Sequence, residues 1–152
     1  MGRLFEGGSG AIDARDVLRT FTFGHVRQLD AVAARFLTRL ATASAVLPGA
    51  DVLAFVDVDD TVKATYGYAK QGAGYGYTGG KGLNALIATV STPLAAPLIV
   101  ASRLRKGSAN SARGAARLVA DAVRTARAAG AGGPQRTGLV IVRADSAFYG
   151  YR

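Results

Sequence analysis

The sequence predicts an α/β domain built on a mixed sheet: three antiparallel strands, a helix, and a fourth strand parallel to the first, preceded by N-terminal helices. Three observations lead there. Strand-like segments at 52–60, 84–91 and 96–107 follow one another, and only the turn-like "TPLA" separates the second from the third, so those two should be antiparallel neighbours. A helical period begins only at Asn110 and yields to an apolar run at Leu139, and a strand reached through a helix returns parallel to its sheet. Finally, "PGAD" at 48–51 closes a helical opening, which divides the chain into a helical segment, 1–49, and a sheet-forming segment, 50–152.

Two helices are expected in the first segment. "AIDARDVLRTF" is short, with Asp13 as its cap; "QLDAVAARFLTRLATASAVL" is stronger, because Leu29, Val32, Ala33, Phe36, Leu37 and Leu40 recur at helical spacing. Arg35 and Arg39 fall on its other side. "VLAFVDVDD" is a strand by branching and alternation, with Asp57 and Asp59 on one face. Seven Gly and four Tyr then crowd the stretch from Tyr66 to Gly82, which reads as a hairpin able to touch DNA through Tyr and Lys. After the two antiparallel strands, Ala112, Ala115, Ala116, Val119, Ala122, Val123 and Ala126 form a small-residue helix face that can press on a sheet. Arg113, Arg117, Asp121 and Arg124 occupy another face, as a solvated ladder or a phosphate-facing edge. "LVIVRADSAF" is expected to be a buried strand that delivers Asp145 beside the acidic end of the first strand. This order is how a ribonuclease H-like domain begins.

Composition narrows the function classes. The chain has 152 residues, 49% of them hydrophobic, no Cys, and a formal net charge of +9. That length supports one domain with a real core, and the absence of Cys excludes disulfide and zinc–thiolate chemistry in these residues. A single His cannot build a histidine metal centre, so His25 is expected at a helix end or on the surface. The charge points to a polyanion, nucleic acid before membrane, and no basic amphipathic helix carries the aromatic face that a membrane surface asks for.

Against that charge, "VDVDDTV" (56–62) places three carboxylates within four positions. Such a cluster needs neutralising, and a divalent cation held by oxygen ligands is the first candidate. Two rival motifs fail on context. "GYGYTG" fits GxGxxG but opens no helix, and the phosphate-loop spacing breaks at Tyr75 and Gly82. Asp57-x-Asp59-x-Thr61 matches the first motif of haloacid dehalogenase-like phosphatases, but those enzymes alternate strands and helices in a parallel sheet.

Five blocks in order, "FGHVRQLDAVAARFL", "VDVDDTV", "KQGAGYGYTGGKGLNALIA", "SRLRKGSANSARGAARLV" and "VRADSAF", together resemble the DDE transposases of bacterial insertion sequences, specifically the insertion-sequence thirteen-eighty group. The resemblance runs from about Phe23 nearly to the end. It implies a ribonuclease H-like domain working with two Mg²⁺ ions, DNA as partner (transposon ends and target, no membrane), and a bacterial cytoplasmic, nucleoid-associated location. A homodimer is one assembly open to it. By the same resemblance the first catalytic and metal-binding Asp maps to Asp59, with Asp57 next, and the second to Asp145. Lys70, Lys81, Arg103, Arg105 and Lys106 are the expected DNA contacts. The family's third acid, a Glu on a later helix, has no counterpart: the only Glu is Glu6, and "FYGYR" follows closely after Asp145. The expectation is therefore an incomplete catalytic domain, or else a non-catalytic basic DNA-binding remnant.

Overall fold

The computed structural model describes residue 17, residues 20–66 and residues 70–149. The short helix expected over 11–21 falls almost wholly outside these residues. The longer one is α1, Phe23–Ala43. Its entry is fixed by Thr22, in extended conformation, whose backbone N–H donates to Nδ1 of His25 at 3.1 Å. A first-turn amide that helix geometry leaves without a partner is thereby satisfied. The lone histidine is a helix-end residue.

Among the described residues, five strands form one mixed sheet. Strand β1 (Leu53–Ala64) pairs antiparallel with β3 (Lys81–Thr92), which also pairs antiparallel with β4 (Ala95–Lys106). The two-residue β2 (Gly74–Tyr75) joins the start of β3, so the glycine-rich stretch does form a hairpin. Helix α2 (Ala115–Ala128) then crosses over, and β5 (Leu139–Ala144) returns parallel to β1. The element order and the one parallel pairing agree with the sequence expectation.

Alternation sorts the sheet into two faces. Ala54, Val56 and Val58 of β1 and Leu86, Ala88 and Val90 of β3 are buried together, and Leu118, Ala122 and Ala126 of α2 close over them. Burying a branched side chain such as Leu118 contributes on the order of 1.5–3 kcal/mol. The opposite face carries Phe55, Asp57 and Asp59 of β1 beside Thr89 and Ile87 of β3.

Three features differ from the sequence reading or add to it. The apolar stripe whose spacing marks α1 as a helix is largely exposed: Leu29 is 51%, Val32 56% and Phe36 66% accessible, and only Leu37 is buried. The N–H of Ser102 in β4 finds its acceptor in Asp30, at 3.0 Å, and the Ser102 hydroxyl donates to the same oxygen. With that amide satisfied, Asp30 faces β4, and Leu37 is the one member of the stripe that is buried. Second, α2 begins at Ala115, not Asn110: Gly114 takes φ +78°, and the preceding carbonyls accept from an arginine described below. Leu118, absent from the predicted small-residue face, is its deepest anchor. Third, β5 is not buried: Leu139 is 58% and Val142 43% exposed, since β5 pairs only with β1 and α2 lies mainly over β3 and β4. The strand ends at Ala144, and residues Ser146–Phe148 form a 3₁₀ turn.

Close backbone approach at Gly107 ties the hairpin to β4. Its N–H donates to the Gly72 carbonyl at 2.9 Å, and a Cβ there would strike the backbone of Gly82 and Gly74. Gly107→Ala should lower stability to urea by about 1–3 kcal/mol through overpacking, whereas Gly80→Ala, which meets only Thr78 Oγ1 at 3.9 Å, should leave the unfolding midpoint nearly unchanged.

Candidate functional site

The three clustered carboxylates have three different fates, and strand alternation is the reason. Asp60 points to the helix-covered face, where its side chain is only 5% exposed. There it accepts from Asn84 Nδ2 at 2.7 Å, Ser111 Oγ at 2.9 Å and Arg105 Nη2 at 3.3 Å. Arg105 also donates through Nε to Asn84 Oδ1 at 2.8 Å, and through Nη1 to the carbonyls of Asn110, Ser111 and Arg113. Burial pulls the Arg105 guanidinium below its ordinary range, Asp60 pulls it up, and the nearby Arg113 charge lowers it again.

Asp57 faces the other way. Arg143 of β5 stands directly across in register and donates to both carboxylate oxygens, at 2.6 and 2.8 Å. The same guanidinium lies 4.3 Å from the centre of the Phe55 ring. Its hydrogen bonds to Asp57 hold Arg143 above its usual range.

Asp59 shares the face of Asp57 and is exposed, one of its oxygens accepting from the Asp60 N–H at 2.8 Å. Asp145 is exposed and caps the 3₁₀ turn, accepting from the Ala147 N–H at 2.8 Å. The β1–β5 ladder ends at Val58 opposite Ala144, and Asp59 and Asp145 are the very next residues of those two neighbouring strands. Adjacent strands run about 4.8 Å apart, so the two residues emerge side by side at the end of the parallel pair. Beside them, Asp57, Asp59, Asp60, Thr61, Ile87, Thr89 and Pro97 line a hollow of ≈ 410 Å³.

Farther along the same face comes Lys63, missed from the sequence although it stands four residues after Asp59 on the period of two. Lys63 pairs with Leu83, and Leu83 in turn with Lys106. Lys81 begins β3 and Lys70 lies just before the hairpin, so the expected lysines gather toward one end of the sheet. The two expected arginines do not join them. Arg103 pairs with Asp121 of α2 and Arg105 with the Asp60 cluster, both on the helix-covered face.

Two of the three neighbouring carboxylates are thus neutralised by arginine. Among the described residues no three acidic or histidine side chains converge closely enough to hold a metal ion between them. Among those residues, also, no helix is long and apolar enough to cross a membrane. No protein-family model matches the chain, and comparison with curated proteins and with solved structures gives no match either.

The two arginine–aspartate pairs should answer differently to mutation. Arg105→Ala strands a buried carboxylate and should cost about 3–5 kcal/mol in chemical denaturation. Arg143→Ala breaks a solvent-screened pair and should leave the unfolding midpoint almost where it was.

Proposed function

We propose that this chain carries the catalytic-domain core of a DDE transposase of bacterial insertion sequences, a ribonuclease H-like domain that acts on DNA. The observation that carries the reading is the parallel β1–β5 pairing, which ends at Val58 opposite Ala144, so that Asp59 within β1 and Asp145 just past β5 follow it across 85 intervening residues. A phosphoryl-transfer site needs such a meeting of hard oxygen ligands, and Mg²⁺ is commonly held by one or two carboxylates with substrate phosphate completing its shell. The donor set fits that requirement in part: Asp59 and Asp145 are exposed, and each uses one oxygen on a local amide. Asp57 joins only if Arg143 releases it.

When bound, the divalent ions of such a site activate a water or 3′-hydroxyl and stabilise the leaving oxygen. The protein's own residues do the rest. Lys63 and Lys106 lie on the carboxylate face, about 13 Å along β1 from Asp59 by strand rise, where they can hold the phosphates flanking a scissile bond. Such contacts position the duplex without reading its sequence. The antiparallel β3 beside β1 speaks against the phosphatase reading, whose sheet is parallel.

A second reading, a basic DNA-binding module without catalysis, draws support from the arginine pairing of Asp57 and Asp60. Metal separates the two. Calorimetric titration with Mn²⁺ should show one weak site that disappears in Asp59→Asn and in Asp145→Asn but survives in Asp121→Asn. Binding of a terminal-repeat duplex should fall steeply with salt, by about 10³-fold or more between 50 and 200 mM if six or more phosphates are neutralised. Mn²⁺ binding indifferent to both site substitutions would overturn the transposase reading, and salt-independent binding would overturn both. With two carboxylates serving one ion, the chain by itself should not cleave that duplex in Mg²⁺ or Mn²⁺.

A further inference from the structure

A second concave surface lies around β4. Helices α1 and α2 flank β4 and enclose a groove of ≈ 960 Å³. Its cations are all arginine. Arg27, Arg35 and Arg39 come from α1, and Arg113 and Arg117 from the start of α2 and the turn before it. All five are exposed, and none has a carboxylate partner among the described residues.

The groove's two acids are already engaged. Asp30 accepts from the Ser102 amide and hydroxyl. Asp121 takes Arg103 on one oxygen and Arg124 on the other, at 2.9 Å for the latter. The positive excess is therefore left for something outside the fold. Between the arginine walls the lining is apolar and small: Ala34, Ala85, Ile87, Val100, Ala101 and Leu104. Beneath them, Nε of Arg103 is buried with no acceptor among the described residues, a donor of the kind that folded proteins normally satisfy.

We propose that this groove is a docking site for an acidic amphipathic segment of a partner protein. Guanidinium groups fit carboxylates bidentately, and walls of arginine without lysine favour that planar recognition. The apolar floor discriminates between classes of anion. A phosphodiester backbone gains nothing from alanine and valine, whereas a segment with apolar residues on one face buries them there. Single-stranded nucleic acid binding further relies on aromatic platforms for base stacking, and among the described residues no Phe, Tyr or Trp lines the groove. A cavity near the upper end of the roughly 300–1,000 Å³ range of ligand pockets holds a short helix or strand. This inference does not rest on the transposase reading: none of the groove's arginines comes from β1 or β5, although Ile87 lines both the groove and the hollow beside Asp59.

Fluorescence anisotropy on the full chain tests it, with a labelled peptide alternating Leu and Glu at helical amphipathic spacing as the probe. A peptide of the same composition in scrambled order and a single-stranded oligonucleotide are the comparisons. The ordered peptide should bind, with the scrambled one about tenfold weaker or more, as loss of apolar contact worth ~1.4 kcal/mol implies. The charge reversal Arg35→Glu with Arg117→Glu, on opposite walls, should abolish peptide binding with the circular dichroism spectrum unchanged. Should that pair perturb folding, Arg39→Gln alone should still weaken the peptide severalfold. Equal binding of ordered and scrambled peptides would reduce the groove to unspecific charge and overturn the proposal. So would an oligonucleotide that displaces the peptide and is itself lost on charge reversal, which would make the groove a nucleic-acid site, or no peptide binding at all.

Discussion

One guanidinium holds the architecture in register. Arg105 reaches Asp60 on β1, Asn84 on β3 and three carbonyls of the turn before α2, so it links two strands and the crossover from its own place on β4. The Asn110 carbonyl also accepts the Arg113 N–H at 3.2 Å in a turn, and α2 starts four residues beyond Ser111, after the left-handed Gly114. The cluster also adjoins the exposed acid beside it, since the Asp60 N–H donates to Asp59 Oδ1 at 2.8 Å. Such clusters cost desolvation, and their usual return is geometric uniqueness rather than net stability.

The same alternation that builds the core resolves the puzzle of a negative knot in a basic chain. Successive side chains on β1 leave on opposite faces, so the carboxylates of Asp59 and Asp60, adjacent in sequence, find different partners. Asp60 meets a buried arginine; Asp57 meets an exposed one across the parallel ladder; Asp59 alone keeps a solvent-facing carboxylate. Like-charge repulsion within "DVDD" is relieved first by this separation and then by arginine. A cation at this end of the sheet has only the Asp59–Asp145 pair open to it at once, because Arg143 occupies both oxygens of Asp57.

Much of the fold could be read from the sequence because the hydrophobic period changes cleanly at each boundary, from two in "NALIATVS" to helical after Asn110 and back at Leu139. The partners of polar groups could not. The N–H of Ser102 in β4 finds its acceptor 72 residues away, in Asp30 of α1. A hydrophobic stripe of Leu29, Val32 and Phe36 is a strong local signal, yet those three side chains stay exposed. Asp60 could have been set apart by parity alone, but its distinction from Asp57 acquires meaning only when Arg105 is placed. Lys63 was within reach of the same parity argument. Arg103 and Arg105 were not, since nothing in "SRLRKG" shows that alternate arginines turn inward while Lys106 stays outside.

The distribution of the arginines bears on what the net charge of +9 signifies. Were it only a solvated coat, the arginines near acids and those far from them would be mixed over the surface. Instead, eight arginines gather around one groove: Arg103, Arg105 and Arg124 are each matched to a named carboxylate, and Arg27, Arg35, Arg39, Arg113 and Arg117 have none among the described residues. The lysines separate from both groups and collect toward the hairpin end of the sheet. Lysine is a flexible point charge suited to tracking phosphates, and arginine a planar fork suited to fixed pairing. The chain thus presents two cationic groups of different chemistry, lysines toward the hairpin end of the sheet and arginines around β4, and Ile87 lies where the arginine groove meets the carboxylate hollow.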